Sequence, residues 1–198
     1  MRYRSWLIVP GESEKKLARA SATGADVIVV DLDGPLTAAA RDDARRRAAE
    51  WLGVHRQHVT GGAPIGRWVR ISALDSRLWR DDLVAVMQGM PDGIILPRAS
   101  GPEAVQHLAS EIYEVEGSNH IRSGSTRIIP VVGGSAEGAL AFPAYLAASA
   151  PRLAGLMWDA DALASAIGAT RSRESRTGPW TGAFAHVRTQ TLLNAHAR

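Results

Sequence analysis

The chain of 198 residues has no cysteine, which excludes disulfides, thiolate nucleophiles and cysteine-ligated metals. No apolar run approaches the roughly 18–20 residues that a bilayer span needs, so no membrane partner is expected. Residues 1–10 are broken by Pro10-Gly11 too early for a secretory signal. These absences fit a cytoplasmic protein. Lysine is almost missing: two lysines stand against 21 arginines, and the net charge is only +3. The longest basic run, Arg45-Arg46-Arg47, lies in an Ala-rich helical segment beside Asp42, Asp43 and Glu50. It reads as a solvated helix face. With no nucleic-acid motif nearby, no nucleic-acid partner is expected. No G-x-G-x-x-G follows the first apolar run, where Pro10-Gly11-Glu12-Ser13-Glu14 stands instead, which argues against a dinucleotide fold. No Gly-x-Ser-x-Gly elbow is visible. The histidines (His55, His58, His107, His120, His186, His196) form no ligand pair at metal spacing and read as surface residues.

What is present is organised around Asp26-Val27-Ile28-Val29-Val30-Asp31-Leu32-Asp33-Gly34. A short β-branched run closed by carboxylates and glycine reads as a strand buried on both faces, the kind found in parallel sheets covered by helices. Chemistry in such folds collects at the C-terminal ends of the strands. Asp31 and Asp33 are therefore placed to meet a ligand, or else to cap the following loop or helix.

The same pattern repeats along the chain. Strands are predicted at Trp6–Pro10, Asp26–Asp31, Trp68–Ile71, Gly93–Pro97, Arg127–Val132 and Leu153–Trp158. Between and after them, helices are predicted at Glu14–Ala22, 38–53, within Asp75–Met90, at Pro102–Glu116, 138–149, Ala160–Ile167 and Phe184–Ala197. In the Asp75–Met90 helix the expected apolar stripe is Leu78, Leu83, Val84 and Met87. Residues 55–66 and 169–181 read as polar loops. Six β-then-α units imply a parallel sheet with right-handed crossovers, either open or closed into a barrel. Length and composition favour one domain, 1–198. Trp6, Trp68 and Trp158 sit on strands and read as packing residues, with Trp158 also able to border a ligand.

Read together, the strand ends resemble a known family. They are Arg4-Ser5-Trp6-Leu7-Ile8-Val9-Pro10-Gly11, Gly24-Ala25-Asp26 leading into Asp31-Leu32-Asp33, Val69-Arg70-Ile71 and Ile95-Leu96-Pro97-Arg98. Arg127-Ile128-Ile129-Pro130-Val131-Val132, Ser149-Ala150-Pro151-Arg152-Leu153-Ala154-Gly155-Leu156 and Trp180-Thr181 continue the pattern. The chain is similar to the HpcH/HpaI aldolase and citrate lyase β-subunit family. The resemblance implies a TIM-barrel-like (β/α) fold in a homo-oligomer, with six of the eight units here and the C-terminal two missing. It implies Mg²⁺-dependent cleavage or formation of a carbon–carbon bond in CoA thioesters of 3-hydroxy acids, of malyl- or citramalyl-CoA type. The expected ligand is a small carboxylic acid or acyl-CoA. The metal would act as a Lewis acid held by hard oxygen ligands.

Carried over residue by residue, the resemblance gives Arg70 the substrate carboxylate, a task that suits a guanidinium fork. The other role open to Arg70 is a structural ion pair to Asp31 or Asp33. Asp33 stands where the family has a glutamate, and counts with Arg70 as a substrate-binding candidate. Gly34 replaces an aspartate, while Arg41 and Arg98 stand at lysine positions. The two metal-ligand positions are the main departure. The glutamate after the fifth strand falls on Gly134, and the aspartate after the sixth falls on Ala162. Glu137 and Asp161 are the candidates to rebuild the site; otherwise they face solvent or cap helices, and the chain is a catalytically impaired member that binds ligand or assists assembly. No catalytic residue is assigned.

Overall fold

The computed structural model describes residues 3–34, 37–55 and 65–197. The sequence's buried runs become five strands: β1 (Trp6–Pro10), β2 (Val27–Asp31), β3 (Gly66–Arg70), β4 (Gly93–Leu96) and β5 (Arg127–Pro130). Among the described residues there are eight α-helices, the first four alternating with the strands and the rest following β5: α1 (Glu14–Ala20), α2 (Ala38–Val54), α3 (Trp79–Met87), α4 (Pro102–Ser118), α5 (Ala136–Leu140), α6 (Phe142–Ala147), α7 (Ala160–Ala166) and α8 (Gly182–Ala197). The strand order is β1-β2-β3-β4-β5, and the pairs from β1 to β4 are parallel.

Two compact units divide the chain. The first holds residues 1–95 and 110–127. Its centre is β2, whose Val27, Ile28, Val29 and Val30 are all fully buried. That matches what an all-apolar strand needs, a layer on each face. In-register neighbours are Val29↔Trp68 and Val30↔Val69. Trp68 packs edge-on against Trp6, with ring centroids 5.2 Å apart. At Gly93 a side chain would overlap the Trp68 ring, so the absence of one there is a packing requirement. Gly24 takes φ +77° after a short 3₁₀ turn, ending the first helical stretch as a left-handed C-terminal glycine does.

The second unit holds residues 96–109 and 128–198. Its core gathers Ile128, Val132, Phe142, Tyr145, Leu163, Phe184 and Val187. Pro143 at the start of α6 separates it from α5, so the one helix expected over 138–149 is two short ones; proline cannot continue a helix it does not begin.

Among the described residues, the barrel-type fold expected from the sequence is seen as an unclosed sheet of five strands. Three expectations need correction. The sixth strand, Leu153–Trp158, is reduced to two isolated parallel bridges, Ile128↔Leu153 and Val131↔Met157. Gly155 and Leu156 lie between these bridges, and glycine weakens a strand interior. In α3 the buried face is Asp82, Leu83, Val86 and Met87, while Leu78 and Val84 are exposed. The expected stripe holds for Leu83 and Met87; Leu78 precedes the helix, and Asp82 and Val86 complete the buried face in place of Leu78 and Val84. Finally, Arg45 does not lie on a solvated face. Its side chain is only 13% exposed and reaches Asp82, whereas Arg46 stays exposed.

Candidate functional site

In the first unit, β2 and β3 end side by side, with Asp31 and Arg70 as in-register partners. Arg70 donates through Nε to Asp31 Oδ1 at 2.8 Å and through Nη2 to Oδ2 at 2.6 Å. This fork-on-fork geometry is the strongest form of the pair. Asp31 Oδ1 also accepts the Asp33 backbone N–H at 3.0 Å, an Asx-type turn that shapes the loop after β2. The pair is part-buried, with 21% of the Arg70 side chain and 14% of Asp31 exposed. Of the two acids considered as partners, Asp31 makes this fork; Asp33 sits half-buried just beyond it.

Behind that corner lies a buried polar network. Arg41, from α2, donates Nη1 to the Leu32 carbonyl at 2.8 Å and to Ser72 Oγ at 3.1 Å, and Nη2 to the Gly34 carbonyl at 3.0 Å. One guanidinium thus ties the loop after β2 to the residue after β3. Asp82, from α3, is completely buried. It accepts Ser72 N–H at 2.9 Å, Ser72 O–H at 2.6 Å and Arg45 Nε–H at 2.7 Å. Arg41 Nη1 stands 3.9 Å away. Every polar group in this network has a partner, as a buried charge requires. Sequence reasoning missed Asp82. The signal was available, since Asp82 lies four residues before Val86 and so shares its helix face.

In the second unit, the loop Gly133-Gly134-Ser135 follows β5, and Ser135 caps α5 by accepting the Gly138 N–H. A Cβ placed on Gly134 would lie 3.5 Å from the Ala162 Cβ and 3.5 Å from Val131 Cγ1. The two positions where the family resemblance puts the ion's carboxylates therefore adjoin, and neither carries an oxygen. Gly133 is closed to any side chain, because a Cβ there would meet Val187 Cγ1 at 2.5 Å and Trp158 Cβ at 2.7 Å. Asp159 is consumed in capping α7, with its Oδ1 accepting the N–H groups of Asp161 and Ala162 at 3.0 Å each. Glu137 and Asp161 lie in the first turns of α5 and α7, and both are exposed. No group of three or more histidine or acid side chains able to hold an ion occurs among the described residues. At the two positions that the resemblance gives to the ion, the donor set does not fit Mg²⁺, a hard cation that takes oxygen ligands, because glycine and alanine carry no side-chain oxygen.

Trp158 stacks edge-on with Trp180, at 5.1 Å between centroids, and Trp180 continues to Phe184. The Arg173 guanidinium lies 3.5 Å over the Trp180 ring, and an antiparallel bridge joins Arg173 to Trp180. The segment 169–181, expected as a plain polar loop, is thus pinned by a cation–π contact. Arg98 takes φ +50° at the end of the Leu96-Pro97 run and is exposed. His58 lies outside the described residues. His55 is stacked on Trp51 with centroids 4.3 Å apart.

Comparison with known proteins agrees with the strand-end resemblance. The family model for HpcH/HpaI aldolase/citrate lyase matches residues 4–189. The citrate lyase subunit beta of Escherichia coli (strain K12) is 30% identical over 129 residues, covering 65% of this chain and 41% of that protein. The mitochondrial citramalyl-CoA lyase of Homo sapiens is 29% identical over 110 residues, covering 54% of this chain and 31% of that one. The chain thus spans well under half the length of these relatives. Among solved structures, protein CitE from Mycobacterium tuberculosis in complex with magnesium and acetoacetate superposes with a TM-score of 0.74 at 26% identity, covering 98% of this chain and 70% of that one. A further CitE structure holds magnesium, acetoacetate and coenzyme A. With a family match running through nearly all of its length, the chain belongs to the HpcH/HpaI aldolase/citrate lyase family.

Proposed function

We propose that this protein keeps the family's carboxylate-binding corner and has given up magnesium-dependent carbon–carbon cleavage. It then serves as a ligand-binding or assembly member that takes a small carboxylic acid or an acyl-CoA. The reading treats 1–198 as one barrel-type domain with six of eight β/α units, working as a homo-oligomer; the TM-score to CitE supports that architecture. The observation that carries it is the adjacency of Gly134 and Ala162, where a Cβ on the glycine would meet that of the alanine. An enolate left without its cation forfeits several kcal/mol of transition-state stabilisation, by the order of magnitude known for such charge stabilisation. Arg70 supplies the remaining chemistry. Its Nε–Nη2 edge, which Asp31 occupies in this structure, is a planar pair of donors suited to a carboxylate.

The test is calorimetry with Mn²⁺ and Mg²⁺ on the wild type and on Gly134→Glu/Ala162→Asp. The wild type should show no one-to-one binding. The double variant should gain it, because its two new side chains start from adjoining β-carbons. Tight binding by the wild type would sink the proposal.

A second reading follows from the relatives, which include a citramalyl-CoA lyase, a (3S)-malyl-CoA thioesterase and CitE with magnesium and coenzyme A. In it the chain is a lyase on CoA esters of 3-hydroxy acids, with an ion held by Glu137 and Asp161. Metal-dependent cleavage of such esters by the wild type, lost in Glu137→Gln/Asp161→Asn, would establish it.

A further inference from the structure

The corner proposed to take a carboxylate already contains one. Asp31 fills the Nε–Nη2 edge of Arg70 with two short hydrogen bonds. Its Oδ1 also accepts the Asp33 N–H, so Asp31 keeps a partner when its contact with Arg70 opens to a ligand. The pair is nearly neutral in sum and only partly open to water. Such a site pulls on an incoming anion far less than a lone guanidinium would.

We infer that Asp31 is an internal competitor for Arg70, so that ligand binding is an exchange of one carboxylate for another and Asp31 sets the affinity. This rests on the reading of Arg70 as the carboxylate-binding residue. Three features on the page support it. The contact spans adjacent strand ends in exact register, so it is built into the sheet. Its geometry copies the geometry a ligand carboxylate would adopt. And Arg41, by holding the Leu32 and Gly34 carbonyls, keeps the loop that carries Asp33 next to the exchange. A ligand that enters must face Asp31 as a like charge, and part-burial leaves that repulsion weakly screened.

The experiment measures acetoacetate binding by calorimetry to the wild type, Asp31→Asn, Asp31→Ser and Arg70→Met, each checked for folding by circular dichroism. Asp31→Ser keeps a hydroxyl to accept the Asp33 N–H. Both Asp31 variants should bind acetoacetate at least about tenfold tighter, the scale expected from removing a part-buried like charge. Neutral ethyl acetoacetate should gain nothing, which separates loss of competition from a general loosening. Unchanged or weaker binding by the variants, with the wild type still dependent on Arg70, overturns the competitor and leaves the carboxylate reading standing. Binding that survives Arg70→Met, or no binding by any form, overturns that reading and the competitor with it. The wild type gives an independent check without substitution. Its Arg70 Nε–Hε resonance should move when acetoacetate saturates the protein. A resonance that stays put would show that no exchange occurs.

Discussion

Replacing Asp82 with alanine should cost the first unit about 3–5 kcal/mol, the usual result of stripping one partner from a buried ion pair. The magnitude follows from what loses its partner. Asp82 is fully buried and accepts three hydrogen bonds, two from Ser72 and one from the charged Arg45. Bonds to charged groups contribute about 1.5–3 kcal/mol each, but the three share one carboxylate and do not add. Arg41 also loses the counter-charge 3.9 Å away and at 7% exposure has little water to turn to, whereas Arg45 keeps Asp42 and Asp81. Urea unfolding followed by tryptophan fluorescence would measure the loss. Hydrogen exchange should show faster opening of the amides at 32–34, because Arg41 holds the carbonyls there. A cycle with Arg45→Met should show a coupling of about 0.5–3 kcal/mol between the two sites. A loss below about 1 kcal/mol for Asp82→Ala with an unchanged m-value would refute the claim that this acid anchors the corner.

Two further outcomes are expected. Gly93→Ala should destabilise by about 1–3 kcal/mol through overpacking, since its methyl would overlap the Trp68 ring; equal stability in thermal melts would show that the ring moves aside freely. Asp26 accepts the N–H groups of Arg4 and Ser5 at 2.6 and 2.9 Å, and these bonds hold its carboxyl below the usual 3.8. A folded pKa below the unfolded one gives stability that is complete above the ordinary carboxylate range and is lost as pH falls through the folded value. The stability gap between the wild type and Asp26→Asn should therefore close on acidification below about pH 4, and a gap independent of pH would contradict this.

The local order of this protein was legible in its sequence. Runs such as Val27–Val30 read as strands with both faces covered, and Gly24 ends a helix through backbone chemistry that needs no tertiary partner; the break at Pro143, inside the one helix expected over 138–149, was missed. The strand-end motifs were enough to indicate the family, and the resemblance puts its two metal-ligand positions on Gly134 and Ala162. Their adjacency was not legible, because they stand 28 residues apart and only packing brings them so close that a Cβ on Gly134 would lie 3.5 Å from that of Ala162. Tertiary structure also decided which acid holds Arg70. Asp31 and Asp33 are alike as residues, but strand register puts only Asp31 opposite the arginine. In the same way Arg45 and Arg46 look alike in sequence, and a buried Asp82 on a neighbouring helix draws just one of them inward. Local propensity and pattern depend on near neighbours, and so the sequence states them. Which charge meets which depends on distances that exist only once the chain has folded.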